Sequence, residues 1–252
     1  MEWDPTITEK WNDTITEKYS GFPHDLLCKL RILELNGAPF EEICPDQHAG
    51  TFEDLTQLKL SKMPWLKHLW KENSEIRDFK LQKLEVSECD GLETFVLSSI
   101  SFQNLKKLKV SKCHGLSSLV TSSAAKSLLH LTKMVIFECN IMTEIVASEG
   151  REAVDEIACE GVEAVDEIAS EECEAVDEIT SEKREAVGEI TFRQLKSLTL
   201  RSLGRLTSFY SGNCTIIFPS LEELTVIKCP QLKIFSNGDV SAPKLKGVKL
   251  AK

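Results

Sequence analysis

Apolar residues recur along this chain in the order Leu-x-x-Leu-x-Leu/Val-x-x-Cys. Leu81, Leu84, Val86 and Cys89 show it, as do Leu105, Leu108, Val110 and Cys113. The same frame returns at Leu131, Met134, Ile136, Cys139 and at Leu221, Leu224, Val226, Cys229. The middle two anchors are two residues apart, the period at which side chains come back to one face of a β-strand. Each unit is therefore expected to hold one short strand, with its anchors turned inward and the residues between them facing out. Cysteine falls at the turn leaving the strand. A small buried polar group there can meet backbone groups that the bend would otherwise leave unpaired.

The third anchor serves as a ruler: Leu35, Leu60, Val86, Val110, Ile136, Leu200, Val226 and Leu250, with steps of 25, 26, 24, 26, 64, 26 and 24 residues. Six positions past it lie Leu66, Leu92, Leu116, Met142, Leu206 and Leu232; nine past it lie Leu69, Phe95, Leu119, Ile145, Phe209 and Phe235. Phe52, Phe102, Phe192 and Phe218 precede the first anchor of their strands by three residues. Turn-prone Pro64, Asp90, Asn140, Gly204 and Pro230 stand four past the ruler. Strand, return leg and approach of each unit thus send apolar groups inward, and only stacking joins them into one core. This is the pattern of a leucine-rich repeat. The expected fold is an α/β repeat: a right-handed horseshoe solenoid with a parallel β-sheet on the concave face and irregular or short helical return legs. Strands are expected near residues 33–36, 58–61, 84–87, 108–111, 134–137, 198–201, 224–227 and 248–250. Residues 24–252 read as one domain of about eight units, and residues 1–23 as an N-terminal extension that would cap the first strand.

The 64-residue step contains a tandem duplication. Glu152-Ala-Val-Asp-Glu-Ile157 returns at 163–168 and 174–179, then as Glu185-Ala-Val-Gly-Glu-Ile190, with a period of 11 residues. Removing three periods leaves a step close to an ordinary unit, so the solenoid is expected to continue across an insertion spanning 149–190. That segment carries 16 acidic and 3 basic side chains, a balance of −13 against −10 for the whole chain, so the remainder sums to +3.

Hydrophobic residues make up 42% of the chain, enough for a solenoid core, and no run approaches the roughly 18 apolar residues of a membrane span. The opening Met-Glu-Trp-Asp-Pro has neither a basic nor an apolar segment of a secretory signal, so a cytoplasmic location and no membrane association are expected. Four of the nine cysteines, Cys89, Cys113, Cys139 and Cys229, hold the ladder position and read as buried structural residues. No zinc-finger spacing, phosphate loop, dinucleotide fingerprint, nucleophile elbow or His-Glu-x-x-His motif occurs. His24, His48, His68, His114 and His130 are scattered. Neither an enzyme nor a cofactor or metal is expected.

Binding is what the architecture offers. Equivalent outward residues of neighbouring strands, about 4.8 Å apart, form columns on the concave face. One column reads Ile32, Gln57, Lys83, Lys107, Lys133, Ser197, Glu223, Gly247. The second reads Glu34, Lys59, Glu85, Lys109, Val135, Thr199, Thr225, Lys249, and the third Asn36, Ser61, Ser87, Ser111, Phe137, Arg201, Ile227, Ala251. Lys59, Lys83, Lys107, Lys109 and Lys133 with Val135, Phe137, Arg201 and Ile227 form the candidate protein-binding face, suited to an anionic partner with an apolar anchor. The small charge outside the insertion and the lack of an aromatic platform disfavour nucleic acid.

The stretches Phe102-Gln-Asn-Leu-Lys-Lys-Leu-Lys-Val-Ser-Lys-Cys113, Leu131-Thr-Lys-Met-Val-Ile-Phe-Glu-Cys139, Ile141-Met-Thr-Glu-Ile-Val146 and Leu198-Thr-Leu-Arg-Ser-Leu-Gly-Arg-Leu-Thr-Ser-Phe209 resemble the repeat region of plant disease-resistance proteins. The resemblance is to the coiled-coil nucleotide-binding leucine-rich-repeat class of innate immune receptors and covers roughly residues 20–252. It implies a protein partner: a pathogen effector, a guarded host protein, or a nucleotide-binding domain in cis or in trans. This chain contains no nucleotide-binding domain, so it resembles a detached or truncated recognition module. The alternative is a leucine-rich-repeat substrate adaptor for ubiquitin ligation, which also uses cysteine-bearing repeats of about 26 residues.

Overall fold

Alternation of buried and exposed residues at period two sets the strands. In Gln57–Ser61 the buried positions are Leu58 and Leu60, and in Lys107–Ser111 they include Leu108 and Val110. The computed structural model describes residues 30–39, 41–44, 54–70, 80–93, 95, 102–148 and 188–251. The expected N-terminal extension (1–23), residue Phe52 and, apart from Gly188–Ile190, the acidic insertion lie outside the described residues.

In chain order the elements are β1 (Ile32–Asn36), β2 (Glu42–Cys44), β3 (Gln57–Ser61), β4 (His68–Trp70), β5 (Lys83–Ser87), β6 (Lys107–Ser111), β7 (Val120–Thr121) and α1 (Ser122–Ser127). They continue as β8 (Lys133–Phe137), β9 (Glu144–Ala147), β10 (Glu189–Thr191), β11 (Ser197–Arg201) and β12 (Ser208–Tyr210). The last are β13 (Thr215–Ile217), β14 (Glu223–Ile227), β15 (Val240–Ser241) and β16 (Gly247–Ala251). One eight-stranded sheet runs β1-β3-β5-β6-β8-β11-β14-β16. Every pairing in it is parallel, and the ruler residues are consecutive partners from Leu35 to Leu250. All eight strands of this sheet begin one residue before the span expected from sequence, and β16 also ends one residue later. β8 and β11 pair directly, Lys133 beside Ser197 through Phe137 beside Arg201. The sheet therefore continues across the 64-residue step.

The return legs differ from expectation. Among the described residues the single helix is α1, whose six residues are capped by Thr121 Oγ1 accepting from Ala124 N at 3.3 Å. Elsewhere the legs form short parallel strands: β2 with β4, β7-β9-β12, and β10-β13-β15. The physical reason is local composition and length. Glu144-Ile-Val-Ala, Ser208-Phe-Tyr and Thr215-Ile-Ile are rich in β-branched and aromatic residues. A leg of a few residues per side also cannot repay helix nucleation. The described residues thus form a parallel-strand β-solenoid, and their one helix lies where Ser-Ser-Ala-Ala offers small residues and two alanines to bury.

Two hydrogen-bond ladders tie each unit to the next. On entry to the strands, consecutive amides share one carbonyl of the preceding unit: Lys106 N and Lys107 N both donate to Gln82 O, at 2.8 and 3.0 Å, and Thr132 N and Lys133 N to Lys106 O. On exit, the residue two past the ruler has a left-handed backbone in seven units: Gly37 at φ 68°, and Lys62, Glu88, Lys112, Glu138, Ser202 and Lys228 at 53–58°. Each of these amides donates across to the last strand residue of the next unit, as Lys112 N does to Phe137 O at 3.0 Å. Side chains extend the exit ladder. Asp90 Oδ1 accepts from His114 N at 3.1 Å, and His114 Nδ1 accepts from Asn140 N at 3.4 Å.

The core sits between the main sheet and the return legs. Leu66, Leu92, Leu116, Met142 and Leu206 are buried there, with Leu69, Phe95, Leu119, Ile145 and Phe209 one step further round. Toward the C-terminal units phenylalanines fill it in two stacks, Phe192 on Phe218 (5.2 Å between centroids) and Phe209 on Phe235 (4.8 Å). The stacks meet edge to face at 5.7–6.1 Å, the arrangement that the ring quadrupoles favour. No described element stacks on β16, so Val248 and Leu250 are exposed (48% and 74%).

Candidate functional site

Strand alternation and in-frame pairing bring the nine residues singled out on the sheet onto its outer face, but they do not form one uniform patch. Lys59 Nζ lies 3.3 Å from Glu34 Oε2 on the preceding strand. Lys83 Nζ lies 3.1 Å from Glu85 Oε1, two residues along the same strand. The first three strands thus neutralise their own charge. Lys107, Lys109 and Lys133 are exposed, as is Arg201, and among the described residues no carboxylate lies within ion-pair distance of any of them. Glu85 stands in register beside Lys109, but its carboxylate is engaged by Lys83.

The apolar residues sit inside this cationic set. Val135 lies between Lys109 and Thr199 across the strands, and Phe137 between Ser111 and Arg201. Both are half-buried, and Ile227, beside Arg201, is also half-buried. The Lys109 ammonium stands 5.8 Å from the Phe137 ring centroid, a cation–π distance. Lys107 and Lys133 are direct cross-strand partners. Like charges at that position oppose folding slightly, so this column adds nothing to the fold's stability. What it supplies is a positive field beside apolar surface.

A residue outside the three columns joins the face. Lys106 precedes β6 and donates to Gln82 Oε1 at 3.1 Å. Thr56, Gln57, Gln82, Lys83, Lys106 and Lys107 line a shallow groove there. Reading strand positions alone misses it; carrying the frame one residue upstream would have found it.

The ladder cysteines point to the opposite side. Cys89, Cys113 and Cys139 are buried and Cys229 is half-buried. Each thiol donates to the carbonyl two residues back: Cys89 to Ser87 O and Cys113 to Ser111 O at 3.3 Å, Cys139 to Phe137 O at 3.6 Å, Cys229 to Ile227 O at 3.5 Å. These carbonyls also accept the left-handed amides of the exit ladder in the matching units, for example Ser111 O from Glu88 N. Burial pushes the Cys139 thiol up to about 11. Hydrogen bonding with Cys89, then burial, raises Cys113. Raised in this way, Cys113 and Cys139 stay protonated and poorly nucleophilic. Among the described residues no group of three or more His, Cys, Asp or Glu side chains could hold a metal ion. No helix among them is long and apolar enough to cross a membrane.

A second polar cluster lies on the return-leg side. Tyr210 donates to Cys214 Sγ at 3.3 Å, and Ser211 Oγ to Glu144 Oε2 at 2.6 Å. Burial, then the Cys214 contact, pushes the Tyr210 hydroxyl up to about 12. Its groups hold β9 and β12 to the neighbouring leg and present no open site.

No significant match was found among curated proteins or solved structures. Residues 30–101 and 96–140 match the family model of the leucine-rich repeats of plant disease resistance protein RPS2-like. That span contains β1 to β8, and with them Lys107, Lys109, Lys133 and Phe137. The repeat frame, the parallel sheet and this match agree: residues 30–140 are similar to the leucine-rich repeats of plant RPS2-like disease-resistance proteins.

Proposed function

We propose that this chain is a protein-recognition module of plant innate immunity, acting through the outer face of its main sheet. Its partner is a pathogen effector, a guarded host protein, or the nucleotide-binding domain of a resistance protein in cis or in trans. The observation that carries the reading is the contrast along one face, within repeats of the resistance-protein family. Ion pairs neutralise the first strands, while Lys107, Lys109, Lys133 and Arg201, around Val135 and Phe137, have no carboxylate partner among the described residues. Charged groups of this kind steer association and select partners more than they stabilise a fold. Half-buried apolar groups among them supply the desolvated centre that protein interfaces need.

The test is proximity labelling in leaf cells with the chain fused to a biotin ligase. A variant carrying Lys107→Glu, Lys109→Glu, Lys133→Glu and Arg201→Glu is compared after its circular dichroism and melting are matched to the parent. Proteins labelled by the parent and lost by the variant support the reading. Identical labelled sets refute it.

A further inference from the structure

The geometry points to a specific chemistry for the partner of this face: an extended acidic protein segment with one apolar side chain between two carboxylates, each two residues away. The inference rests on the recognition role proposed above and deepens it.

Backbone pairing is closed to the partner at this site. β6, β8 and β11 each have strand neighbours on both sides, so no free edge is available for strand addition. The partner must be read by side chains alone. Those available form three rows across the strands: Lys83-Lys107-Lys133-Ser197-Glu223, Glu85-Lys109-Val135-Thr199-Thr225 and Ser87-Ser111-Phe137-Arg201-Ile227. Glu85 bounds the cationic region on one side and Glu223 on the other. Between them the cations without a carboxylate partner among the described residues stand on β6, β8 and β11, a width of two strand spacings, roughly 10 Å.

This arrangement has a centre and two ends. Val135 and Phe137 on β8 form the apolar middle. Lys107, Lys109 and Lys133 stand on one side of it, and Arg201 on the other. An extended chain returns side chains to one face about every 7 Å. A carboxylate at one position, an apolar group two residues on and a second carboxylate four residues on would therefore span roughly 14 Å, a match once lysine and arginine reach is counted. The planar guanidinium of Arg201 suits a carboxylate bidentately.

Polyanions fit less well. Phe137 is the aromatic residue of the outer columns, it is half-buried, and Lys109 already lies over it, so no stacking platform for bases is present. The whole chain carries −10, which repels a dense polyanion at range more than a pair of side-chain carboxylates.

The probe is a fluorescein-labelled peptide with the core Asp-Thr-Leu-Thr-Glu between Gly-Ser flanks, titrated with the full chain by fluorescence anisotropy at 50 mM and 300 mM salt. It should bind at least fivefold more tightly than the same peptide with Ser for Leu, and at least tenfold more tightly than the Asn/Gln version. Binding should weaken with salt. Arg201→Gln and Lys133→Gln should each lose affinity several-fold, and Lys67→Gln, an exposed change off the main sheet where Lys67 pairs with Glu41, should not. Equal binding of the amide peptide, equal or tighter binding of an oligodeoxythymidine of the same length, or indifference to Arg201→Gln and Lys133→Gln would overturn the assignment. The peptide-side changes need no protein variant and so do not depend on its folding. If proximity labelling is lost in the face variant while the peptide fails, the recognition reading stands and only the partner chemistry falls. If the peptide binds as expected while labelling is unchanged, the chemistry stands and the recognition reading falls.

Discussion

Replacing Cys113 with Ala removes one sulfur from the middle of the thiol ladder and leaves two deficits. The side chain is fully buried, and losing one atom of about methylene size from water-free surroundings costs about 1 kcal/mol. The remaining cavity adds roughly 0.5 kcal/mol if neighbours relax only in part. The thiol's donation to Ser111 O, 3.3 Å away, is also lost; that carbonyl keeps the Glu88 amide as a donor, so the penalty is at the low end, roughly 0.5 kcal/mol. The expected loss is about 2 kcal/mol, a shift of about 1 M in the urea midpoint for a slope near 2 kcal/mol/M. Cys229→Ala provides the internal control. Its side chain is half-buried and its sulfur 3.5 Å from its acceptor, so about half that loss is expected. Cys113→Asp should cost at least about 4 kcal/mol, because it places a carboxylate at a fully buried position among apolar neighbours. Repeat arrays can unfold in segments, so amide exchange of residues 87–113 should accompany urea unfolding followed by circular dichroism. Equal midpoint shifts for Cys113→Ala and Cys229→Ala, or Cys113→Asp within 1 kcal/mol of Cys113→Ala, would refute the burial argument.

Lys112 has φ 53°, so Lys112→Gly should raise stability by up to about 1 kcal/mol and Lys112→Val should lower it by about 1–2 kcal/mol; any other order in thermal melts counts against the left-handed exit turn. The Cys139 thiol is raised from 9.0 to about 11. Its contribution is complete below the unfolded value and is lost as the pH rises through the folded one, so the melting temperature should fall between about pH 9 and 11. Cys139→Ala should make that fall shallower, and an unchanged slope would show that the thiol is not responsible. An added Cβ at Gly115 would meet Leu92 O at 2.7 Å and also Asp90 O, both backbone atoms that cannot swing aside. Gly115→Ala should therefore cost about 1–3 kcal/mol, whereas Gly204→Ala, with open space around it, should be near neutral in the same melts.

The strand positions were legible because two signals coincide in each unit. Period-two anchors state which residues face inward, and the recurring frame states which residues are partners across the sheet. Lys83, Lys107 and Lys133 could therefore be placed in one column before any coordinates. Their electrostatic inequality could not. Lys83 turns along its own strand to Glu85, and Lys59 turns across to Glu34, while Lys107, Lys109 and Lys133 find no carboxylate among the described residues. Which partner a long side chain takes depends on rotamers and cross-strand distance, and spacing in sequence carries neither. The same holds for His114, one of the scattered histidines, whose ring nitrogen accepts the Asn140 amide of the next unit.

Sequence by itself determined the repeat, the inward anchors, the register of the sheet across the insertion and the cysteine ladder, because burial selects residue type at those positions. Tertiary structure alone decided the left-handed exit turns and the form of the return legs. Lys62, Glu88, Lys112, Glu138, Ser202 and Lys228 share no chemistry that marks a positive φ. They adopt it because each amide then reaches the carbonyl of the next unit, as Lys62 N does to Ser87 O at 3.0 Å, and that bond offsets about 1 kcal/mol of strain. The legs form strands for a related reason. A few β-branched or aromatic residues have no stable conformation alone, and they become β9, β12 or β13 only when the neighbouring leg supplies the other half of each hydrogen bond.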